Sequence, residues 1–248
     1  MTAGTSPGKC PFCGATIQRK TLAIIGFGSK TIPIPCECDG AKADREAKEA
    51  KRVEAERAEV FRERWSTCGI PPEFLGVEAD FSMRDKIADN RSVYITGQNG
   101  RGKTYKACQY AKAFLIGHIV PIEGIMTCVK TVRFVTSQQV SSQLKSSWQK
   151  WGETEEDVFQ RLIGVDLLVL DDLGKGVPSE WFAENLFRLI DERWSHKKPM
   201  VITSQYSTTD LADRLCKADE ATLDAMKSRL RGWCEGIVLE GPDRRMQR

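Results

Sequence analysis

The segment from Gly97 to Thr104 has the residue types of a loop that binds phosphate, because it matches the pattern G-x-x-x-x-G-K-[ST]. Glycines allow backbone angles that turn N–H groups toward phosphate oxygens, and the positive end of a following helix strengthens the field on them. We predict that this segment binds ATP, with Lys103 reaching the β- and γ-phosphates and Thr104 binding Mg²⁺. The predicted ATP-binding residues are Gly97, Gln98, Asn99, Gly100, Arg101, Gly102, Lys103, Thr104 and Tyr105.

Two acidic residues end the most apolar stretch of the chain, where Leu167 to Leu170 is followed by Asp171 and Asp172. An apolar strand that ends in acids delivers carboxylates to the same edge of a parallel sheet as the phosphate loop. We predict that Asp171 lies on the magnesium side and that Asp172 orients or deprotonates the attacking water. The alternative for Asp172 is a cap of the turn before Gly174.

Four cysteines lie near the start of the chain in two close pairs. Cys10 and Cys13 have the spacing of a zinc knuckle, and Cys36 and Cys38 could supply a second pair after a hairpin. We predict a structural Zn²⁺ site of four thiolates, which would stabilise a segment too short to do so by apolar burial. The one-residue spacing of the second pair leaves a redox pair or free thiols as alternatives.

Composition excludes few functions but indicates a location. The net charge of +3 over 248 residues is too small to indicate nucleic-acid binding by itself. The chain shows no signal-peptide h-region and no stretch of roughly 18 apolar residues, so we expect a cytoplasmic protein without a membrane span. The remaining cysteines are scattered singly and read as reduced, mostly buried thiols, namely Cys68, Cys108, Cys128, Cys216 and Cys234.

Short apolar runs alternate with helical patterns beyond Gly69, which predicts an α/β fold with a central parallel sheet flanked by helices. Strands are predicted at 92–96, near 132–136, and at 162–170, 199–204 and 236–240. Helices are predicted at about 103–115, 138–148, 180–194 and 221–231. The stretch 119–131 resembles an insertion.

The part before Gly69 differs in residue composition and pattern. In residues 1–40, apolar and polar residues alternate around Gly26 to Ser29, which suggests a small hairpin-based module. Residues 41–64 are rich in Ala, Glu, Lys and Arg, which predicts a solvated helix. This helix is either a spacer or a helix that binds a partner. The predicted domains are a zinc-binding module at 1–40, a charged linker helix at 41–68 and an ATPase domain at 69–248.

At these motifs the sequence resembles the AAA+ helicase loaders of the DnaC/DnaI type and the similar IstB transposition ATPases. Gly69 to Phe74 resembles the segment before the first strand of that family, and Leu170 to Gly174 resembles its acidic motif. Pro199 to Ser204 resembles the sensor-1 strand, although Gln205 stands where the family usually has Asn. The resemblance implies an AAA+ P-loop ATPase fold for residues 69–248.

The resemblance also assigns roles to arginines. Arg229 is similar to the arginine finger that acts on the ATP of a neighbouring subunit, with Arg231 as its rival. Arg245 is similar to the sensor-2 arginine, and Arg244 is possible. The catalytic residues predicted from motifs and resemblance together are Lys103, Asp172, Gln205, Arg229 and Arg245.

What the resemblance implies about function is an oligomeric ATPase that binds a replicative DnaB-type helicase and assists its loading onto single-stranded DNA. Candidate DNA contacts are Lys130, Arg133 and Lys145, although lysines and arginines on a protein surface more often serve solubility. One alternative is an IstB-like transposition helper ATPase. Another is a scaffold that contains zinc and binds ATP without hydrolysing it.

Overall fold

The computed structural model divides the chain into two compact units, Met1–Ala58 and Glu59–Arg248. The domain limits derived from the sequence remain a prediction. The structure describes residues 8–24, 28–147, 154–175, 179–215 and 220–243.

The first unit contains an antiparallel hairpin of β1 (Arg19–Ile24) and β2 (Gly28–Pro33). The Thr21 and Thr31 hydroxyl oxygens lie 2.9 Å apart across the two strands. Such cross-strand pairs stabilise a sheet. The strands of the predicted hairpin are confirmed, and residues 25–27 lie outside the described residues.

Helix α1 (Asp39–Thr67) extends the predicted charged helix at both ends. Opposite charges three or four residues apart pair along it, with Lys48 2.7 Å from Asp44 and Arg52 2.7 Å from Glu49. The helix stops before Gly69, whose φ of +79° favours glycine. A side chain at this position would also meet the carbonyl oxygen of Phe134 at 2.9 Å.

The second unit alternates helices and strands after a 3₁₀ turn at Pro72–Phe74. Its elements are α2 (Arg84–Ala88), β3 (Ser92–Thr96), α3 (Lys103–Gly117), β4 (Ile119–Ile122), β5 (Ile125–Cys128), β6 (Val132–Thr136), α4 (Ser137–Ser147), α5 (Glu155–Gly164), β7 (Leu167–Leu173), α6 (Glu180–Ser195), β8 (Met200–Ser204), α7 (Thr208–Leu215), α8 (Glu220–Trp233) and β9 (Cys234–Val238).

Five of these strands form a parallel sheet in the order β6-β7-β8-β3-β9. Leu168 and Leu170 of β7 face a core shared with α4 to α8, and Leu167 and Val169 face the core shared with α2 and α3. Because β7 is covered on both faces, its sequence is continuously apolar rather than alternating. The prediction of a parallel sheet flanked by helices is confirmed.

One predicted strand, at 162–170, is partly wrong. Leu162 and Ile163 belong to the last turns of α5, and β7 begins only at Leu167. The apolar run serves two elements, because α5 buries residues at helical spacing before the strand buries both its faces. A capping box between Thr154 and Asp157 starts α5 and is a local signal for this helix in the sequence.

The stretch that resembles an insertion is a separate hairpin of β4 and β5. Its turn has Glu123 at φ 51° and Gly124 at φ 82°, as a two-residue hairpin turn requires. Ile122 and Ile125 are exposed on it. In the described part of the chain, no helix has the length and apolar character needed to cross a membrane.

Asp166 joins β6 to β7 at the edge of the sheet where these strands begin. Its carboxylate accepts hydrogen bonds from Lys130 Nζ at 2.9 Å and from the Thr131 N–H and hydroxyl at 2.9 and 2.8 Å. Burial alone would raise the pKa of Asp166, but these hydrogen bonds outweigh it and hold the pKa below its usual value. The ionised carboxylate therefore stabilises the folded chain.

We predict that Asp166→Asn lowers the free energy of unfolding by about 1 kcal/mol at pH 7. Because the folded-state pKa is depressed, this contribution is present above the unfolded pKa of about 4 and is lost as pH falls through the folded value. Urea unfolding followed by circular dichroism at pH 7 and pH 3 would measure it. Asp224→Asn, at an exposed helix position, is the control. A deficit as large at pH 3 as at pH 7 would contradict the assignment.

Candidate functional sites

The predicted phosphate loop lies between β3 and α3, as its chemistry requires. Gly100 has a φ of 77° and Gly102 a φ of 84°, and Gly102 is the residue from which α3 starts. This left-handed backbone suits glycine and directs N–H groups of the loop and of the first helical turn to one side. The loop has the backbone conformation and the helix N-terminus of an anion cradle.

The chain after β9 packs against this loop. A side chain at Gly97 would overlap the carbonyl oxygen of Leu239, and one at Gly100 would overlap the carboxylate of Asp243. The Leu239 N–H donates to Thr96 O at 2.7 Å, which holds the segment beside the end of β3. The positions of Leu239 and Asp243 were not predicted, since no local pattern indicates a contact over more than a hundred residues.

Lys103 is buried at the start of α3. Its Nζ donates to the carbonyl oxygens of Gly97 at 2.8 Å and Gln98 at 3.0 Å. The ammonium group is therefore held across the mouth of its own loop, where the phosphates of a nucleotide are expected.

A buried carboxylate connects the loop to the sheet. Asp171 accepts hydrogen bonds from the Thr104 hydroxyl at 3.0 Å and from the Thr203 hydroxyl at 2.6 Å. Burial raises the pKa of Asp171, while the hydrogen bonds from Thr203 and Thr104 and the charge of Lys103 oppose that rise. Hydroxyl and carboxylate oxygens are ligands that Mg²⁺ prefers, so Thr104 and Asp171 together fit a magnesium site.

Thr203 is a positioning residue that sequence reasoning missed. It is fully buried in β8, donates to Asp171 and accepts the N–H of Asp172 at 3.0 Å. The available signal was a threonine within the predicted strand 199–204, which pairs with the strand that carries the two acids. One hydroxyl thus fixes both acidic residues.

The side chain of Asp172 lines the cavity beside the phosphate loop, whereas that of Asp171 is buried. The pairing of β7 with β8 is irregular between Leu170 and Leu173, and Asp172 has a φ of 55°. Its carboxylate lies 3.0 Å from Lys175 Nζ and lines the cavity beside the phosphate loop. Strained backbone of this kind occurs often at functional sites.

The cavity has a volume of about 640 Å³, which is suited to a small-molecule ligand. Phe74 and Tyr105 meet edge to face at one part of its wall, with ring centroids 6.5 Å apart. Its lining residues are Glu73, Phe74, Asn99, Gly100, Gly102, Lys103, Thr104, Tyr105, Asp172 and Lys175.

The other predicted catalytic residues do not line this cavity in the described part of the chain. The Gln205 side-chain amide donates to the Tyr206 hydroxyl at 2.8 Å. Arg229 Nε donates to Asp191 at 2.8 Å, and its guanidinium lies 3.9 Å from the ring centre of Trp194. Their roles stay predictions.

The structure gives the surroundings of some, but not all, of the remaining arginines and candidate DNA contacts. Arg231 donates to the Thr209 hydroxyl, and Arg244 and Arg245 lie outside the described residues. Lys130 and Lys145 line two separate hollows, and Arg133 is half-buried. A DNA path along these three basic side chains stays a prediction.

The four N-terminal cysteines meet in the first unit. Their sulfur atoms all lie within 4.8 Å of one another, with Cys10 3.7 Å from Cys38 and Cys13 3.6 Å from Cys36. Hydrogen bonds from the backbone N–H groups of Phe12 and Cys13 lower the pKa of the Cys10 thiol to about 7. A cluster of four thiols is a donor set for a soft or borderline metal ion and fits tetrahedral zinc.

We predict that Thr203→Val weakens binding of ATP in the presence of Mg²⁺ about tenfold, because Asp171 and the Asp172 N–H both lose a buried partner. Binding in the presence of EDTA should change less than twofold, since the phosphate loop is untouched. Titration calorimetry with and without Mg²⁺ would measure the difference. Thr203→Ser keeps the hydroxyl and is the matched control. An equal loss in both variants would trace the effect to packing instead.

Comparisons with known proteins agree with this geometry. Residues 79–248 match the family described as IstB-like ATP binding protein. The replicative helicase loader DnaC of Escherichia coli strain K12 is 25% identical over 136 residues, which is 55% of this chain and 50% of that protein. The chain thus spans about half the length of the DnaC relatives that it matches.

Two further likenesses extend the comparison. The insertion sequence IS21-like putative ATP-binding protein of Bacteroides fragilis is 26% identical over 216 residues, covering 80% of this chain and 74% of that protein. The crystal structure of DnaI has a TM-score of 0.53 at 21% identity and covers 70% of this chain and 93% of that chain, which is a likeness of fold. The resemblance read from the motifs is confirmed.

The phosphate loop, the acidic strand end and a family match over more than half of the chain lead to one conclusion. The chain belongs to the IstB-like ATP-binding proteins, and its second unit has the fold of an AAA+ P-loop ATPase.

Proposed function

We propose that this protein is an ATP-dependent loader that binds a replicative DnaB-type helicase and assists its loading onto single-stranded DNA. The observation that carries the proposal is the contact of Thr104 and Thr203 with Asp171 beside Lys103, which assembles a nucleotide site. The likeness to the E. coli loader supports the choice of partner.

The cavity residues have distinct tasks in this proposal. Lys103 and the loop N–H groups bind the phosphates, and Thr104 with Asp171 would hold Mg²⁺, which neutralises phosphate charge. Asp172 accepts a hydrogen bond from the water that attacks the γ-phosphate, and its position on the cavity wall supports that role. Gln205 and Arg245 would assist as sensors of the γ-phosphate.

Hydrolysis in this proposal requires a second copy of the chain, because Arg229 acts on the ATP of a neighbour. Asp191 and Trp194 hold the Arg229 guanidinium from two sides. To act as a finger, the guanidinium must exchange Asp191 for a phosphate oxygen, while the ring of Trp194 can continue to stack against it. The working form is therefore an oligomer formed through this arginine.

The first unit would serve as the adaptor that recognises the partner. A zinc ion held by Cys10, Cys13, Cys36 and Cys38 would supply the crosslink that a short hairpin lacks. Phe12, Leu22 and Ile32 are exposed in this unit and could meet an apolar surface of a helicase. Lys130, Arg133 and Lys145 remain the proposed DNA contacts.

A second candidate is an ATPase that assists transposition. It is favoured by coverage, because the IS21-like relative matches 80% of this chain, compared with 55% for DnaC. The two candidates share the ATPase chemistry and differ in the protein partner. Purified helicase and purified transposase, each offered to the immobilised full chain, would distinguish them. Capture and loading of the helicase supports the first candidate, and capture of the transposase alone supports the second.

We predict that ATP turnover per chain rises with protein concentration and that Arg229→Ala lowers it about 10³-fold. Arg231→Ala, which changes the rival arginine, should have little effect. Mixing Arg229→Ala with Lys103→Ala should restore part of the activity, because one variant supplies an intact ATP site and the other an intact finger. Phosphate release in the presence of single-stranded DNA would measure all four samples, with thermal melting as a check of folding.

Two outcomes would oppose the ATPase proposal in different ways. Turnover that is independent of concentration and survives Arg229→Ala would exclude a finger supplied by a neighbour. No turnover by the wild-type protein, with or without DNA and helicase, would favour the scaffold that binds ATP without hydrolysis.

We predict about one zinc ion per purified chain and its loss in the Cys36→Ser variant, because a structural site needs all four thiolates. ATP binding should persist in that variant, since the nucleotide cavity lies in the second unit. Inductively coupled plasma mass spectrometry and calorimetry would provide the two readouts. Cys128→Ala is the control for loss of a cysteine outside the cluster. Wild-type protein without metal would indicate free thiols or a redox pair.

A further inference from the structure

A second lysine, Lys175, lines the nucleotide cavity together with residues of the phosphate loop, and the motifs and the family match leave it without a role. We infer that Lys175 is a specificity residue. When ATP binds, Lys175 exchanges its ion pair with Asp172 for a contact with the γ-phosphate, so that the site distinguishes ATP from ADP. This inference rests on the proposed ATPase function and adds a residue to the same site.

The local backbone keeps Lys175 beside Asp172. Gly174 has a φ of 88°, and the Lys175 N–H lies 3.4 Å from the carbonyl oxygen of Asp172, which closes a tight turn. Lys175 Nζ lies 3.0 Å from Asp172 Oδ2. Both side chains line the cavity that Lys103 and Thr104 also line, so the pair faces the place where phosphates are expected.

The two lysines of the cavity differ in how firmly they are held. Lys103 is buried and donates to two carbonyl oxygens of its loop. The side chains of Lys175 and Asp172 are 62% and 40% exposed, and ion pairs this exposed contribute little to stability. Lys175 is therefore the lysine that can change partners at low cost.

The γ-phosphate is a stronger partner for Lys175 than the carboxylate of Asp172. It presents three acceptor oxygens and up to two negative charges, so it can form more charge-assisted hydrogen bonds with the ammonium group than one carboxylate oxygen can. ADP ends one phosphate earlier and offers no such group at this place. Exchange of the ion pair therefore favours ATP over ADP.

The exchange also prepares the proposed water-orienting group. While Lys175 is paired with Asp172, one carboxylate oxygen is occupied by the ammonium. Transfer of Lys175 to the γ-phosphate frees that oxygen to accept a hydrogen bond from water. One lysine thus links recognition of the third phosphate to the availability of Asp172.

The test compares binding of a non-hydrolysable ATP analogue and of ADP to the full chain by calorimetry with Mg²⁺. Lys175→Met should weaken binding of the analogue about tenfold and change ADP binding less than twofold, because only the analogue has the group that Lys175 contacts. Lys175→Arg should restore most of the loss. Lys86→Met is the matched control, because Lys86 forms a comparably exposed ion pair with Glu235 and does not line the nucleotide cavity.

A second variant tests the exchange itself. Asp172→Asn removes the internal partner of Lys175, so the affinity for the analogue should rise at least twofold, and the rise should disappear in the double variant with Lys175→Met.

Equal effects of Lys175→Met on both nucleotides, or no effect on either, would overturn the inference. In that case loss of binding in Lys103→Ala would still support the nucleotide site. Wild-type protein that binds neither nucleotide would overturn the proposed function and the inference with it.

Discussion

The second unit depends on one buried carboxylate, that of Asp171. A charge in the interior is tolerated only when hydrogen bonds compensate its loss of water, and here two threonine hydroxyls supply them. Thr104 belongs to the first turn of α3, and Thr203 belongs to β8. The carboxylate therefore fixes the helix that follows the phosphate loop relative to two strands of the sheet.

The strand order makes this contact possible. Because β7, β8 and β3 are neighbours and run in parallel, their carboxyl ends meet at one edge, which is where α/β folds bind ligands. Adjacent residues of a strand point to opposite faces, so Asp171 turns into the interior and Asp172 toward the cavity. At Asp172 the strand pairing is irregular and the backbone is left-handed, and its carboxylate lies beside Lys175.

Much of this site could be predicted from the sequence because its signals are local. The glycine-lysine-threonine pattern requires a strand before it and a helix after it, and β3 and β6 have the limits that were predicted. Contacts between distant segments could not be predicted in the same way. Thr203 resembles any threonine of a buried strand until the sheet order places it against Asp171, and nothing near Asp243 indicates that it lies against Gly100.

The prediction of the boundary between α5 and β7 was wrong for a different reason. Apolar residues at helical spacing run directly into the apolar strand, and a short run of this kind has no periodicity that separates a buried helix turn from a buried strand. The capping box at Thr154 carries the missing information, because a helix that starts there must still be helical at Leu162 if its buried face is to be completed.

Three cations that the proposed mechanism assigns to ATP have partners within the described chain. Lys103 is held by carbonyl oxygens, Lys175 by Asp172 and Arg229 by Asp191. A triphosphate in the same chain can take over the two lysines, because they line its cavity. Arg229 is absent from that lining in the described part of the chain, and the proposed mechanism assigns it to the ATP of another copy, which would displace Asp191. In that mechanism, binding draws on groups within one chain and hydrolysis waits until two chains meet, so ATP turnover would measure assembly.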